Sequence, residues 1–217
     1  VVTVFVMAQG QQQRIGHLMG VNGMPSYKHL LKVSETETIL SRACRLFLEA
    51  GADQVIPVVH LDMAFITPCM DLGLPFFVQR DPGASILNGI YNVRKVWGAR
   101  TVIALGDVVY SRATARMMVM TGHFEMFERA GENLTTGNPY PERFGISFSS
   151  LDHAVLAEVL ERPGFRNHSD HKLIHLKDAL AGQLATREVA DYTDDVDTEE
   201  ALKEWFPRLK TAAAIDT

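Results

Sequence analysis

At 217 residues, 47% hydrophobic and 22% charged, the chain has the size and balance of one soluble globular domain, expected to span 1–217 around a full core. Its net charge of −5 argues against a general nucleic-acid binder, which would carry a basic face, and leaves local Arg and Lys free to hold a small anion. No apolar run approaches the ~20 residues that span a bilayer, and no signal-peptide pattern is visible, so no membrane partner is expected. Two cysteines, Cys44 and Cys69, make no disulfide framework and point to a reducing, cytoplasmic setting.

The first element is Val1–Met7, an apolar, β-branched run that breaks at Ala8-Gln9-Gly10-Gln11-Gln12-Gln13-Arg14. Such a run reads as a buried parallel strand feeding a loop at its carboxyl end. Ser34-Glu35-Thr36-Glu37 reads as a capping box, and Ile39, Leu40, Ala43, Cys44, Phe47 and Leu48 then recur at helical spacing until Gly51. Gln54–Val59 predicts a strand whose Pro57 cannot donate to a ladder, which points to a peripheral place or a bulge. Residues 60–75 predict a loop or short helix, and Phe76–Val78 a third strand. Ser85 reads as the N-cap of a helix with Ile86, Ile90, Val93 and Trp97 along one face.

Thr101–Leu105 is the clearest buried strand, ending at Gly106-Asp107, and Ser111 opens a helix whose Met117, Met118 and Met120 are expected in the core. Residues 122–141 predict an irregular stretch, Phe144–Phe148 a late strand of antiparallel character, and Ser149 or Ser150 the cap of a helix to about Arg162. Leu173, Leu176, Leu180 and Leu184 space out a further helix. A short strand, an acidic turn and a helix from Thr198, packed through Trp205-Phe206, close the chain. Alternating strands and helices predict an α/β fold: three layers around a doubly wound, mostly parallel sheet.

Ligands bind such sheets at the carboxyl ends of the strands. Backbone N–H groups around Gly10 could cradle phosphate oxygens there, with Arg14 and Lys28 as nearby cations. Asp107 ends the central strand over the same crevice, a location that favours a functional role over the alternative, capping of the following helix. Asp194, Asp195 and Asp197 crowd three carboxylates into four residues, which either relieve their repulsion on a divalent cation or start a helix. His168, His171 and His175 fall on one helix face at a spacing zinc could use, though solvation or capping is the commoner role of such histidines. Lys172 and Lys177 stand beside them as candidates for holding a phosphate.

The pattern Ala8, Gly10, Arg14, Lys28, Leu30, Leu31, Val33 resembles the nucleotidyltransferase superfamily, whose first strand ends in A-A-G-x-G-x-R followed by K-x-L-L-x-V. Gln9 and Gln12 depart from it, Gln12 standing where the family has its second glycine. Leu105-Gly106-Asp107-Val108 resembles the family's L-x-G-D-V, and Asp195-Val196-Asp197-Thr198 its C-terminal D-[IV]-D-T. Ser85-Ile86-Leu87-Asn88-Gly89-Ile90 resembles S-V-x-x-G-L, lying between them in family order.

The resemblance implies a Rossmann-like nucleotide-diphospho-sugar transferase fold and Mg²⁺-dependent transfer of a nucleoside monophosphate to a small phosphorylated acceptor, most plausibly a sugar 1-phosphate, with pyrophosphate released. It further implies that Arg14 and Lys28 are catalytic and that Ala8, Gln9, Gly10, Gln12, Ser85 and Gly89 bind nucleotide. Asp107 and Asp197 would bind the metal, with Asp195 as the lesser candidate for the second ligand. It leaves room for a homodimer. Two other readings compete. A glycosyltransferase would place Asp-x-Asp at the end of the central strand, where Gly106-Asp107-Val108 stands instead. A non-catalytic nucleotide-binding relative would account for the Gln-rich loop.

Overall fold

The computed structural model describes residues 1–8, 27–80, 85–131, 134, 141–166, 172–195 and 199–216, without the side chains of 63–65, 199, 200 and 202. Strand β1 (Val2–Ala8) is buried along its whole length. Its alternation sorts the two faces of the sheet, because successive strand side chains point opposite ways. Val4, Val6 and Ala8 join one apolar cluster, Phe5 and Met7 the other.

From β1 the chain runs through α1 (Ile39–Glu49) to β2 (Gln54–His60), and through α2 (Met63–Asp71) to β3 (Phe77–Gln79). Helix α3 (Ile86–Asn92) then leads back across to β4 (Arg100–Leu105), on the other side of β1. There follow β5 (Val108–Val109), α4 (Arg112–Met120), β6 (Glu125–Arg129), β7 (Glu142–Ser149), α5 (His153–Glu161), α6 (Leu173–Ala179), β8 (Ala185–Glu188), β9 (Asp194–Asp195), α7 (Glu199–Glu204) and α8 (Phe206–Ile215). The main sheet has seven strands in the order β3-β2-β1-β4-β7-β6-β8, and β5 pairs with β9 in a small sheet of its own. Strands β1 to β4 are parallel, β7 is antiparallel to both β4 and β6, and β8 is parallel to β6.

Helices α1 and α4 cover the Val4 face through Leu40, Phe47 and Met118, while α3, α5 and α6 cover the Phe5 face through Ile90, Leu160 and Leu176. The three-layer, mostly parallel sheet is therefore the one the alternation predicts. A third cluster, including Val33, Ile39, Val109, Phe206 and Leu209, docks α7 and α8 beside the small sheet. Where β7 crosses β4, a side chain at Gly145 would come within 2.2 Å of the Ile103 carbonyl oxygen, so only glycine allows that approach.

Several local expectations are corrected. The cap of α1 is Thr38, in a reciprocal box with Ser41, and not Ser34. Ser34 instead accepts N–H bonds from Thr36 and Glu37 inside a turn, and the Glu37 carboxylate pairs with Arg45. Strand β2 lies inside the sheet, not at its edge, and no bulge interrupts its register with β1. Pro57 is accommodated because β3 reaches only Val58–His60, so Pro57 has a strand neighbour on the β1 side alone.

The stretch expected to be irregular contains β6, a buried strand whose Glu125 and Glu128 are paired with Arg187 and with Lys177 and Arg143. Those charges hid it from a hydrophobicity reading. The N-cap position of α5 is Asp152, three residues past Ser149, with which it hydrogen-bonds. Met118 is buried but Met120 is exposed. Cys44 and Cys69 are both buried free thiols, and burial pushes both up, Cys69 to about 11, as inert core residues.

Candidate active site

β2 and β4 flank β1 on opposite sides, so a crevice opens at the carboxyl ends of β1 and β4, where the winding reverses. Gly106 closes the floor of that crevice. Its N–H donates to the Met7 carbonyl at 2.9 Å, and a Cβ there would lie 2.9 Å from the same oxygen and 3.0 Å from the Ala8 Cβ. The next residue is Asp107, which is thus set directly over the end of β1.

Strand β5 follows at once and pairs antiparallel with β9, Val108 opposite Asp195 and Val109 opposite Asp194. This short ladder brings the acidic C-terminal segment to the rim of the crevice. From the opposite side, the 3-10 turn Lys28–Leu30 delivers Lys28. Its ammonium lies 2.6 Å from Asp107 Oδ2 and 3.5 Å from Asp195 Oδ2. The Lys28 side chain is 1% exposed and that of Asp107 23% exposed, so the cation is enclosed while the carboxylate still opens to the crevice. Burying an ammonium is tolerable when carboxylates lie beside it, as Asp107 and Asp195 do here.

The position of β9 is over-determined. Asp191 accepts hydrogen bonds from the Ser111 and Thr114 hydroxyls and from the Thr193 N–H, and Thr193 Oγ1 in turn accepts from Ser111 N–H at 2.9 Å. Ser111 is also the N-cap of α4. Arg129 on β6 donates to the carbonyls of Asp191 and Thr193. Tyr110 pins the β4–β5 turn by donating to Phe144 O at 2.6 Å, and Arg42, Tyr192 and Asp216 form a cluster that holds α8 against α1. Burial opposes the charge on Asp191, but the hydrogen bonds from Ser111 and Thr193 outweigh it and hold the carboxyl below its ordinary range.

His29 is fully enclosed beside this group. Burial lowers its pKa to about 4, Asp107 pulling it upward and Lys28 adding to the drop, so the ring is neutral at pH 7. Unfolding lets it titrate normally, near 6.5. The unfolded state therefore binds more protons as pH falls from 6.5 towards 4, and stability is lost across that window. Chemical denaturation from pH 7 to pH 4 is expected to show this decline in the wild type and a flatter profile in His29→Gln. Identical slopes would contradict it.

Other expected site residues fall in different places. Ala8 ends β1 at the crevice. The Ser85 hydroxyl caps α3 through Asn88 N–H and donates to Arg166 O at 2.6 Å, so it is engaged in holding the fold, and Gly89 is buried within α3. His175 accepts from the Lys172 N–H at the start of α6, a capping role, and Lys177 is paired with Glu128. Gln9, Gly10, Gln12, Arg14, His168, His171 and Asp197 lie outside the described residues. His29, Asp191 and Arg129 were missed. No motif marks them, because their roles arise from tertiary neighbours alone.

No protein-family model matches the chain, and no curated protein is similar to it in sequence. Solved structures are similar in fold. The inositol-1-phosphate CTP transferase of T. maritima superposes with a TM-score of 0.71 at 11% identity, over 97% of this chain and 95% of that one. The fold is that of the nucleotidyltransferases. The CTP:phosphocholine cytidylyltransferase of Streptococcus pneumoniae has a TM-score of 0.67 at 12% identity, over 96% and 99% of the two chains. A Mycobacterium tuberculosis protein solved in complex with manganese has a TM-score of 0.60 at 20% identity, over 95% and 98%.

The last of these structures holds manganese, and the oxygen donors at the crevice of this chain are of a kind that fits a divalent ion. The donors are carboxylate oxygens, which suit Mg²⁺. The Lys28 ammonium also demonstrates that a cation is held where Asp107 and Asp195 converge. Among the described residues, no group of three or more His, Cys, Asp or Glu side chains forms a complete cage. Mg²⁺ needs none, since it keeps several waters and substrate oxygens.

Proposed function

We infer that the chain is a Mg²⁺-dependent nucleotidyltransferase that moves a nucleoside monophosphate from its triphosphate to a small phosphorylated acceptor, a sugar 1-phosphate being the leading candidate. The observation that carries this reading is the convergence of Lys28, Asp107 and Asp195 at the carboxyl ends of β1 and β4. An acceptor phosphate oxygen attacks the α-phosphorus in line. The bond from that phosphorus to the oxygen bridging to the β-phosphate breaks, and pyrophosphate leaves with both bonding electrons. A phosphate nucleophile is already ionised at neutral pH, so no general base is required.

The work left to the protein is positioning and charge. Asp107 and Asp195 would hold Mg²⁺, which when bound offsets charge on the phosphate oxygens. Asp197, the residue the family pattern favours, lies outside the described residues, and Asp195 is the member of that pair whose position supports the role. Lys28 supplies a positive charge at the same point, Arg14 is expected to add a second, and the loop around Gly10 would cradle the triphosphate.

A panel of nucleoside triphosphates against sugar 1-phosphates and other phosphorylated acceptors tests this, with pyrophosphate as the readout. Metal-dependent release in one pairing is expected. Binding without turnover throughout would favour the non-catalytic reading, and preference for a nucleoside diphosphate-sugar would favour the glycosyltransferase. On the active pairing, Gly106→Ala should cost about tenfold or more in rate, because the new methyl drives the turn off β1 and moves Asp107. An unchanged rate would mean that this contact does not set the carboxylate.

A further inference from the structure

Lys28 lies where the divalent ion would bind. Its ammonium is 2.6 Å from Asp107 and 3.5 Å from Asp195, and the Val108–Asp195 pairing ties the backbones that carry those carboxylates. Mg²⁺ sits 2.0–2.1 Å from its oxygen ligands. An ion bound by both carboxylates would thus share with Nζ a space a few ångströms across. Two cations in so enclosed a space repel strongly. Only one of the groups involved can leave readily: the lysine has a flexible four-carbon stem, whereas Asp107 and Asp195 are fixed by the small sheet and by the Asp191 network behind it.

We propose that Lys28 is a resident competitor of the metal: its ammonium bridges Asp107 and Asp195, and it must swing off them before a divalent cation can be held there. This rests on the reading that these two carboxylates are the metal ligands. The ammonium is drawn off by the phosphates of an arriving nucleotide, so nucleotide and metal bind with positive coupling and the metal alone binds weakly. The same side chain then serves twice, first as a plug that balances the buried Asp195 and the half-buried Asp107 and afterwards as a phosphate contact. The enclosed position of Lys28 fits the first role, since no solvated surface lysine would need two carboxylate partners.

The test uses Mn²⁺ alone, without nucleotide, titrated into the full chain by calorimetry and by electron paramagnetic resonance of the free ion. Lys28→Met keeps the length of the side chain and removes the charge, and it should bind Mn²⁺ about tenfold or more tighter than the wild type. Mn²⁺ should also raise its melting temperature well beyond the shift in the wild type, because no ammonium then competes with the ion for Asp107 and Asp195. Lys28→Gln provides the same readout should the methionine variant fold poorly.

Adding Asp107→Asn to Lys28→Met should abolish the gain. Equal or weaker Mn²⁺ binding by both lysine variants, with Asp107→Asn still reducing it, would overturn the competition and leave the metal site standing. Binding indifferent to Asp107→Asn would remove the metal reading and this proposal together.

Discussion

Replacing Asp107 with asparagine should lower the rate of pyrophosphate release by about 10³-fold or more, while the melting temperature moves by only a few degrees. The substitution is nearly isosteric and removes one negative charge from the point that Lys28 and Asp195 share. Lys28 keeps its second carboxylate, so the fold is not left with an unpaired buried ammonium. The chemistry, in contrast, loses a carboxylate that the proposed mechanism assigns to Mg²⁺. A rate within about tenfold of the wild type, measured on the productive substrate pair, would be incompatible with Asp107 acting at the reacting phosphate.

The second large effect lies one layer back. Asp191→Ala should destabilise the protein by about 2 kcal/mol or more, because the hydroxyls of Ser111 and Thr114 and the N–H of Thr193 lose one shared acceptor. Activity should fall with it, since β9 and its Asp195 are held over the crevice by this network. The pH dependence is a separate signature. A carboxyl held below its ordinary 3.8 stabilises the folded state above that pH, and the contribution is lost as pH falls through the lower native value. Acid denaturation below about pH 4 should therefore be shallower in Asp191→Asn than in the wild type. Equilibrium denaturation of both variants across pH measures the two effects together. A wild-type acid limb in the asparagine variant would remove Asp191 from the account.

How much of this was legible in the residues follows from the range of the interactions. The Val-rich β1 and Thr101–Leu105 announce themselves because parallel strands covered on both faces are continuously apolar. Asp107 could be singled out because it ends such a strand. Ser111 and Ser85 were readable as caps because capping is local.

What escaped is what depends on distant partners. Strand β6 reads as polar in isolation, since Glu125 and Glu128 become tolerable inside only beside Arg187, Lys177 and Arg143. Lys28 was recognisable as a cation, but nothing near it in the chain indicates that its ammonium is enclosed by two carboxylates that meet through the β5–β9 ladder. The acidic run was expected as a turn, and Asp194–Asp195 is a strand because Val108 and Val109 offer it a ladder. Pro57 argued for an edge, and the short β3 satisfies that constraint inside the sheet.

The central claim is that the crevice between β1 and β4 brings two acidic segments, far apart in the chain, onto one divalent cation. A crystal structure with Mn²⁺ and a non-hydrolysable nucleoside triphosphate tests it most directly, because the anomalous signal locates the metal without assumption. The expected result is a single peak in contact with Asp107 and Asp195, with Lys28 turned towards the phosphates. A peak away from both carboxylates, or bound nucleotide elsewhere on the molecule, would contradict it.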